Sequence, residues 1–475
     1  MSCAVYRFQS NPFTRLLHCL VFFIAFPISA ADFTTSEESF LQVDFFYNNK
    51  GMHTYPGLIE QLAQGRVPMT VLEHIGFILR EGKPIGLTTK TISGWTDGHK
   101  QEKVVGVISC AYCHTGKAAG IIIPGLANKS IDLRALGFWG IGLDLESDSA
   151  THAHAPNIES LIANSQRMFA ILDDPAFSSP TVGLVDNNIL KKTFFQAFGL
   201  PYEVEVRAYL NKPGHLWGLG EKKKLGLFWG AEGSGHSLGW KVGPEIMNGQ
   251  TAENIRQKDY VQKVSEVEYH IEQFQPPEYP FEIDENLAFG TGKILFSARC
   301  QKCHGSYRKN ADGTANYQVP KLIPWRVVKT DPNRSRFFDE NLWSAIEESE
   351  YADLLLKSGS QDTELPAYIA PRLEGIWSRF PYLHNTSVPT LMDLLTAPGS
   401  RTAIFSLKDA GEKDMFDQRN VGLKTDVPDT LRYGSLTQAW IYDVKKPGQS
   451  NRGHEFGIDL SKMQKLALVE YLKTL

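Results

Sequence analysis

Two copies of one cysteine–histidine motif constrain this chain more than any other feature of its sequence. The copies read Cys110-Ala-Tyr-Cys113-His114 and Cys300-Gln-Lys-Cys303-His304. Two thiols at this spacing can add to the two vinyl groups along one edge of a haem, and the adjacent histidine can then bind the iron as proximal ligand. The motifs predict two covalently bound haem c groups, attached through Cys110, Cys113, Cys300 and Cys303, with His114 and His304 as iron ligands.

The first 31 residues have the pattern of a secretory signal peptide. Arg7 and Arg15 precede an apolar run, Leu16–Phe26, which is followed by the small residues Ser29-Ala30-Ala31. A membrane anchor is the alternative, but a spanning helix needs ~20 apolar residues and this run is only about half that length. We expect residues 1–31 to be removed from a periplasmic or secreted protein that has no stable membrane anchor. The remaining cysteines then all lie in the two motifs.

The net charge and the positions of the cysteines argue against several other classes of protein. The chain has 49 Lys and Arg against 53 Asp and Glu, a net charge of −4, so no basic field predicts a nucleic-acid partner. Four cysteines in an exported protein could instead form two disulfides, or a zinc site from two Cys-x-x-Cys pairs. Neither alternative explains why a histidine follows each pair. The sequence therefore favours a haem protein.

A proline-rich break divides the mature chain. The stretch Gln275-Pro-Pro-Glu-Tyr-Pro280 interrupts any helix and is the best linker candidate. With 475 residues in total, we divide the chain into residues 32–278, an N-terminal haem domain, and residues 279–475, a C-terminal cytochrome c-like haem domain. Both are predicted to be mainly α, with long irregular loops and little β-structure. Each porphyrin would bury the apolar surface that such loops do not supply.

Hydrophobic patterns predict three features of the N-terminal half. Pro68–Arg80 has the periodicity of an amphipathic helix. The glycine-rich stretch Gly116–Asp132, which follows the first motif, is expected to be a loop. Residues 210–244 are rich in Gly, Trp and His, and we expect a long functional loop region there.

The C-terminal half has the pattern of a small cytochrome c domain. Asp284–Arg299 is predicted to be a helix that leads into Cys300, with Leu287, Ile294 and Ala298 on one face. Ser461–Leu475 is predicted to be a terminal helix with Leu468, Leu472 and Leu475 on one face. A helix before the motif and a terminal helix packed across it form the skeleton of such a domain.

Several segments resemble known proteins. Pro371–Trp377 and Phe380–Thr390 resemble the segment that follows the second haem in bacterial di-haem cytochrome c peroxidases. Asn420–Leu423 and Pro447–Gly457 look like the rubber-oxygenase branch of that superfamily, as does Lys321–Trp325 followed by Thr330–Arg334. The likeness is dense from about residue 285 to the end, and in the N-terminal half it depends on Ser109–Asp132.

The resemblance implies a sixth ligand for the second haem. His454 stands in a loop between two glycines, and the resemblance to rubber oxygenases implies that this histidine is the distal ligand. Met415 and Met392 are the alternatives, because Met is another common ligand of cytochrome iron. The resemblance to the peroxidases implies that His384 supports the haem surroundings and does not bind the iron.

The resemblance also implies that the N-terminal haem is the reactive one, with aromatic residues above its iron. Phe228 and Trp229 are the nearest candidates for this cover, with His236 close by. An apolar pocket would suit dioxygen, whereas His236, Glu232 or Glu245 in the pocket would suit acid–base cleavage of peroxide. The other histidines that could ligate this iron or act as acid or base are His152, His154 and His215.

The sequence therefore predicts an exported di-haem c-type oxidoreductase. Its N-terminal haem would activate oxygen or peroxide, and its C-terminal haem would exchange electrons with a small cytochrome or another redox partner. A peroxide-reducing peroxidase, a polyisoprene-cleaving dioxygenase and a pure electron carrier are the alternatives. Trp325 or Trp377 could relay electrons between the haems. The resemblance implies a calcium ion between the domains, for which no compact acidic loop in the sequence identifies ligands.

Overall fold

In the computed structural model, most of the secondary structure consists of short helices. The structure describes residues 33–42, 54–55, 69–93, 102–133, 181–202, 208–220, 251–309, 315–316, 323–337, 339–355, 367–425 and 440–475. Its α-helices are Thr35–Gln42, Met69–His74, Cys110–His114, Asn187–Ala197, Ala252–Ile255, Lys258–Glu272, Glu285–Leu287, Lys293–Arg299, Gln301–His304, Trp325–Val328, Glu340–Glu347, Ala352–Leu355, Leu391–Leu394 and Lys462–Lys473. A π-helical segment, Ala288–Gly292, and four 3₁₀ turns add to them: Arg334–Arg336, Ile376–Ser378, Pro398–Ser400 and Lys413–Met415.

The strands are short and pair in small antiparallel sheets. One sheet has the order Thr54–Tyr55, Glu102–Ile108, Leu87–Ser93. The two-stranded pairs are Leu79–Arg80 with Lys83–Pro84, Thr115–Ala118 with Ile121–Pro124, Val185–Asp186 with Leu210–Asn211, Arg308–Lys309 with Ala315–Asn316, Ile323–Pro324 with Ala367–Tyr368, Ile404–Ser406 with Ile441–Asp443, and Phe416–Asp417 with Gly422–Leu423. The chain is helix-rich, and no sheet in its described part closes on itself, so the predicted class is confirmed at that level. Its division into two haem domains at residue 278 stays a prediction.

The helix predicted over Pro68–Arg80 is wrong beyond its first turns. The helix ends at His74, and the chain then turns into the strand Leu79–Arg80. Gly76 stops it: its φ is +99°, and its amide and that of Phe77 bond back to the carbonyls of Glu73 and Leu72. This is the glycine-ended Schellman arrangement. A Cβ on Gly76 would also overlap the carbonyl of Ser130.

The loop predicted for Gly116–Asp132 is also wrong in its first half. Thr115–Ala118 and Ile121–Pro124 form a hairpin in the register Thr115↔Pro124. Its two-residue turn, Ala119-Gly120, has φ values of +52° and +83°. Positive φ at both turn positions matches the twist of the flanking strands, which is why such turns close hairpins.

The helix predicted over Asp284–Arg299 exists, but its buried face differs from the prediction. The segment runs as helix Glu285–Leu287, the π turn Ala288–Gly292 and helix Lys293–Arg299. Ile294 is 66% exposed and Ala298 is exposed, whereas Ala288 and Phe296 are buried. The wider π turn changes which side chains face the interior. A strict 3.6-residue period therefore selects the wrong face here.

The terminal helix Lys462–Lys473 crosses this segment at Gly292. Leu468 and Leu472 are buried as predicted, whereas Leu475 lies beyond the end of the helix and is half-buried. Ser461 caps the helix in a capping box with Gln464. A Cβ on Gly292 would overlap the carbonyl oxygen of Ala467, so the close approach of the two backbones requires glycine.

The described core joins residues from both predicted haem regions. One cluster of buried side chains extends from Phe40 through Ala111 and Phe296 to Leu472. A smaller cluster lies around Tyr112, whose hydroxyl donates to the Ile75 carbonyl at 2.5 Å. The first motif therefore lies between the two clusters, with Cys110 and Ala111 at the larger one and Tyr112 and Cys113 at the smaller one.

Residues 1–31, predicted to be a signal peptide, lie outside the described residues, and their export role stays a prediction. Within the part of the chain that the structure describes, no helix has the length and apolar character needed to cross a membrane.

Gly292→Ala should lower the free energy of unfolding by about 1–3 kcal/mol, because the added methyl group must push the terminal helix away. Gly290→Ala is the matched control, since a Cβ there meets no atom within 4 Å. Denaturant unfolding of the two holoprotein variants measures the difference. Equal stabilities would contradict the close crossing.

Candidate haem sites

The second motif presents its three functional side chains on one helical turn. The amides of Cys303 and His304 both lie 3.0 Å from the Cys300 carbonyl, and helix Gln301–His304 continues that turn. Residues at i, i+3 and i+4 share one face of a helix, so both thiols and the imidazole point to the same side. Cys300 and Cys303 are not joined in a disulfide.

A backbone carbonyl fixes the orientation of His304. Its Nδ1 lies 2.8 Å from the carbonyl oxygen of Pro371. A carbonyl can only accept, so Nδ1 must donate and Nε2 keeps its lone pair. Burial lowers the pKa of His304, which favours the neutral imidazole that a metal ion needs. His304 is therefore prepared to bind a metal through Nε2.

His454 lies opposite His304 across a cavity. The centres of the two imidazole rings are 6.3 Å apart. An imidazole–metal bond is about 2 Å long and the ring centre lies about 1 Å behind the nitrogen, so two imidazoles that share one metal ion have centres about 6 Å apart. Burial lowers the pKa of His454 to about 3, so this ring too is neutral. The observed spacing fits one iron ion between the rings.

The loop that carries His454 is held from two sides. The His454 amide donates to the Val328 carbonyl at 2.7 Å. Gly453, with φ of +77°, lies against the backbone of Lys329 and Thr330, where a Cβ would overlap. His454 itself has φ of +48°, a left-handed conformation that costs free energy in a residue other than glycine. Strong contacts must therefore keep this loop in place.

The buried guanidinium of Arg401 supplies such contacts. It donates to the carbonyls of Asn451 at 2.5 Å, Gly453 at 2.9 Å and His454 at 3.2 Å. It also donates to the Thr396 carbonyl at 2.9 Å. Because Arg cannot lose its proton in a protein, these acceptors solvate a permanent buried charge. Arg401 thus fastens the His454 loop to the 391–401 region.

The cavity between the two histidines has a volume of about 370 Å³. Both motif cysteines, His304 and His454 line it. Its apolar lining includes Phe296, Leu391, Leu394, Leu395, Leu468 and Leu472. Met392 and Met415, the alternative sixth ligands, pack against the core and are not part of this lining. Thiols at one edge, two facing imidazoles and apolar walls together fit a c-type haem.

Cationic side chains also line this cavity. They are Lys129, Lys212, Arg299, Lys302, Arg334, Arg372 and Arg379, and no Asp or Glu is among the described lining residues. Burial lowers the pKa of Lys129 to about 7, and burial together with the charges of Arg379 and Lys129 lowers that of Lys212. A wall of this kind suits an anionic group, such as the carboxylates of a haem.

His384 also belongs to this cavity. Its ring stacks on Tyr368, with the ring centres 6.0 Å apart, and burial lowers its pKa to about 3. His384 is thus a neutral member of the cavity wall. Its predicted supporting role stays a prediction.

In the first motif, as in the second, a short helical segment carries the cysteines and a backbone carbonyl orients the histidine. Ser109 caps the helix Cys110–His114 by accepting from the Ala111 amide. His114 Nδ1 lies 2.9 Å from the Gly214 carbonyl, so Nε2 again keeps its lone pair. Burial lowers the pKa of His114 to about 4 and raises that of the Cys113 thiol to about 12. His114 thus has the same orientation and neutral form as His304, and a haem at this motif stays a prediction.

Of the other residues predicted for the first site, only His215 is among the described residues. Those outside the described residues are Phe228, Trp229, His236, His152, His154, Glu232 and Glu245. His215 is described, and it lines the cavity of the second motif with its ring 5.0 Å from that of Trp217.

The two predicted relay residues, Trp325 and Trp377, make structural hydrogen bonds. Trp325 Nε1 donates to the Thr330 carbonyl, and the buried Trp377 Nε1 donates to the Pro277 carbonyl. Neither is among the lining residues of the cavity. In the described ranges no group of three or more His, Cys, Asp or Glu could hold a metal ion, so the calcium site stays a prediction.

Sequence reasoning missed the groups that orient the histidines, namely Pro371, Gly214 and Arg401. Pro371 begins a segment that carries the family resemblance, which was a usable signal. Gly214 accepts through its own backbone carbonyl, and Arg401 donates to the backbone carbonyls of other residues, so neither interaction leaves a pattern in the side chains.

Arg401→Met should lower the free energy of unfolding by about 1–3 kcal/mol, because buried carbonyls lose their donor. Amide hydrogen exchange in residues 451–457 should become faster as the loop loosens. Arg419→Met, at an exposed position, is the control. Unchanged exchange in the Arg401 variant would show that other contacts hold the loop.

Comparison with known proteins gives partial matches. Residues 367–406 match the family described as "RoxA-like, cytochrome c-like". Two uncharacterized proteins of Sinorhizobium fredii are similar: y4iJ is 30% identical over 42% of this chain and 41% of its own length, and y4iM is 28% identical over 42% and 51%. The matches thus span about half the length of these relatives or less. The segment 367–406, which contains Pro371, Arg379 and His384, is similar to a RoxA-like cytochrome c domain.

Proposed function

We propose that this chain is an exported di-haem c-type oxidoreductase. The haem on Cys110 and Cys113 activates oxygen or peroxide, and the haem on Cys300 and Cys303 transfers electrons. The observation that carries this proposal is the facing pair His304 and His454, 6.3 Å apart across a cavity that both cysteines line. The match of residues 367–406 to a cytochrome c-like family supports the same conclusion.

The chain would hold the second haem by four side chains and an apolar enclosure. Cys300 and Cys303 would form the thioethers, and His304 and His454 would both bind the iron. A bound haem c supplies a reversible one-electron couple, and an iron with two protein ligands keeps no open position for a substrate. The leucines of the lining would exclude water, and its arginines, such as Arg379, would offer permanent cations to the propionate carboxylates. This site is therefore suited to electron transfer.

At the first site, the chain supplies His114 as a neutral proximal ligand fixed by Gly214. We propose Phe228 and Trp229 for the opposite side, because the resemblance implies aromatic residues there, and His236 as a nearby acid or base. Aromatic rings there would exclude water from the pocket, while His236 would hold or move a proton if the substrate is a peroxide. The electrons would come from, or pass to, a small cytochrome or another redox partner.

A short segment connects the two sites and supports cooperation between them. Gly214 accepts from His114, while Pro213 and His215, its neighbours, line the cavity of the second motif. Only a hydrogen bond and a few covalent bonds thus separate the two haem surroundings. The peroxidase, the polyisoprene-cleaving dioxygenase and the pure carrier differ in what happens at the first haem.

His454→Ala should convert the second haem from low spin to high spin and leave the first unchanged, because the iron loses one axial ligand. Optical and EPR spectra of the holoprotein measure the two spin states. Met392→Leu is the control and should change neither spectrum. Conversion by the Met392 variant and not by the His454 variant would mean that the sixth ligand is Met392.

Carbon monoxide, added to the reduced protein, and cyanide, added to the oxidised protein, should each change the spectrum of one haem only. The responding haem should be the one on Cys110 and Cys113, and Phe228→Ala should alter the rate at which the ligand enters. If neither haem responds, the protein is a pure electron carrier and the activation role is excluded.

A further inference from the structure

The two motif histidines are oriented by segments that hydrogen-bond to each other. We name Asn211–His215 the strap and Pro371–His384 the bracket. We infer that Lys212, which joins the strap to the bracket, and Lys129, which joins the hairpin after the first motif to the bracket, are positioning residues of one frame, and so set the reduction potentials of both haems together. This inference rests on the proposed haem occupancy of both motifs.

The strap holds the first motif from one side. Its Gly214 carbonyl accepts from His114 Nδ1 at 2.9 Å. The Leu216 amide, just after the strap, donates to the Gly125 carbonyl at 2.8 Å, and the Gly125 amide donates to the His114 carbonyl at 2.7 Å. Both the ring and the backbone of His114 are therefore tied to this part of the chain.

The bracket holds the second motif in the same way. The carbonyl of its first residue, Pro371, accepts from His304 Nδ1 at 2.8 Å. Farther along the bracket, the guanidinium of Arg379 donates to the carbonyl of Arg372, the neighbour of Pro371. A displacement of Arg379 would therefore reach the group that orients His304.

Lys212 joins the two segments. Its Nζ donates to the carbonyls of Arg379 at 2.8 Å and Pro381 at 2.6 Å, and its amide donates to the His384 carbonyl at 2.8 Å. Gly214, the partner of His114, lies two residues away. One side chain thus connects the carbonyl partner of one motif histidine to the segment that carries the partner of the other.

Lys129 makes a parallel connection. It is 8% exposed, and its Nζ donates to the Lys117 carbonyl at 2.9 Å, in the hairpin after the first motif, and to the Ser378 carbonyl at 3.0 Å, in the bracket. The two lysines therefore bind four backbone carbonyls, three of them at consecutive or nearly consecutive bracket positions.

Both lysines can keep their two hydrogen bonds in either protonation state. Burial lowers the pKa of both amines. A neutral amine still has two N–H groups, which is the number of carbonyls that each Nζ contacts. The joint therefore keeps its hydrogen bonds whether or not the amines are protonated.

The frame can affect the reduction potential of each haem through the histidine that binds its iron. A hydrogen bond from the free ring nitrogen of a metal-bound histidine to a carbonyl raises the basicity of the ligand, which favours the oxidised metal. Loosening the frame weakens both Nδ1–H···O=C bonds, so both potentials should rise. Loss of a nearby positive charge has the opposite sign, because a cation favours the reduced haem.

The test is a spectroelectrochemical titration of holoprotein variants, with the haem count and spin states checked first. Lys212→Met should move both midpoint potentials to more positive values, and Lys129→Met should move them in the same direction. Lys212→Arg should restore part of the change. Lys424→Met is the control, because Lys424 is exposed and its Nζ donates to a single carbonyl, that of Asp414.

A negative shift in the lysine variants would show that the lysines act only through charge, and would overturn the inference. A shift at one haem alone, or at neither, would overturn it as well. A failure of the proposed function can be distinguished from a failure of this inference. Missing haems, or spin states in the wild-type protein other than those expected, would be detected before any potential is measured.

Discussion

The bond from Nδ1 of each motif histidine to a distant backbone carbonyl is the interaction on which the rest depends. His114 bonds to Gly214 and His304 to Pro371, partners 100 and 67 residues away in sequence. Each bond fixes the tautomer and the ring plane, and leaves Nε2 to bind a metal. Because each carbonyl belongs to a long-range segment, the fold must bring that segment to the motif before the histidine can be placed.

The second site shows how much of the fold serves this placement. The helix that leads into Cys300 and the terminal helix approach closely at Gly292, which brings Phe296, Leu468 and Leu472 to one wall of the cavity. Arg401 and the Val328 carbonyl hold His454 at the opposite side, in a left-handed conformation. A large apolar cofactor between these walls would supply packing that the short helices lack.

The sequence was sufficient where structure depends on local spacing. The helix-rich class and the burial of Leu468 and Leu472 in the terminal helix both follow from patterns within a few residues. It was insufficient where geometry departs from a regular period: the π turn at Ala288–Gly292 moved the buried face away from Ile294, and Gly76 ended a helix predicted to continue to Arg80. Both glycines are visible in the sequence, but their roles depend on close approaches to Ala467 and Ser130. Carbonyl partners such as Gly214 could not be predicted, since any residue supplies a carbonyl.

Two haems covalently bound to one chain are the central claim, and intact mass of the mature protein tests it most directly. The account predicts a mass that exceeds the polypeptide by two haem groups, a pyridine haemochrome spectrum of c-type, and haem-bearing peptides that contain Cys110–His114 and Cys300–His304. A mass equal to that of the polypeptide alone, or cysteines recovered as disulfides or as zinc ligands, would contradict it.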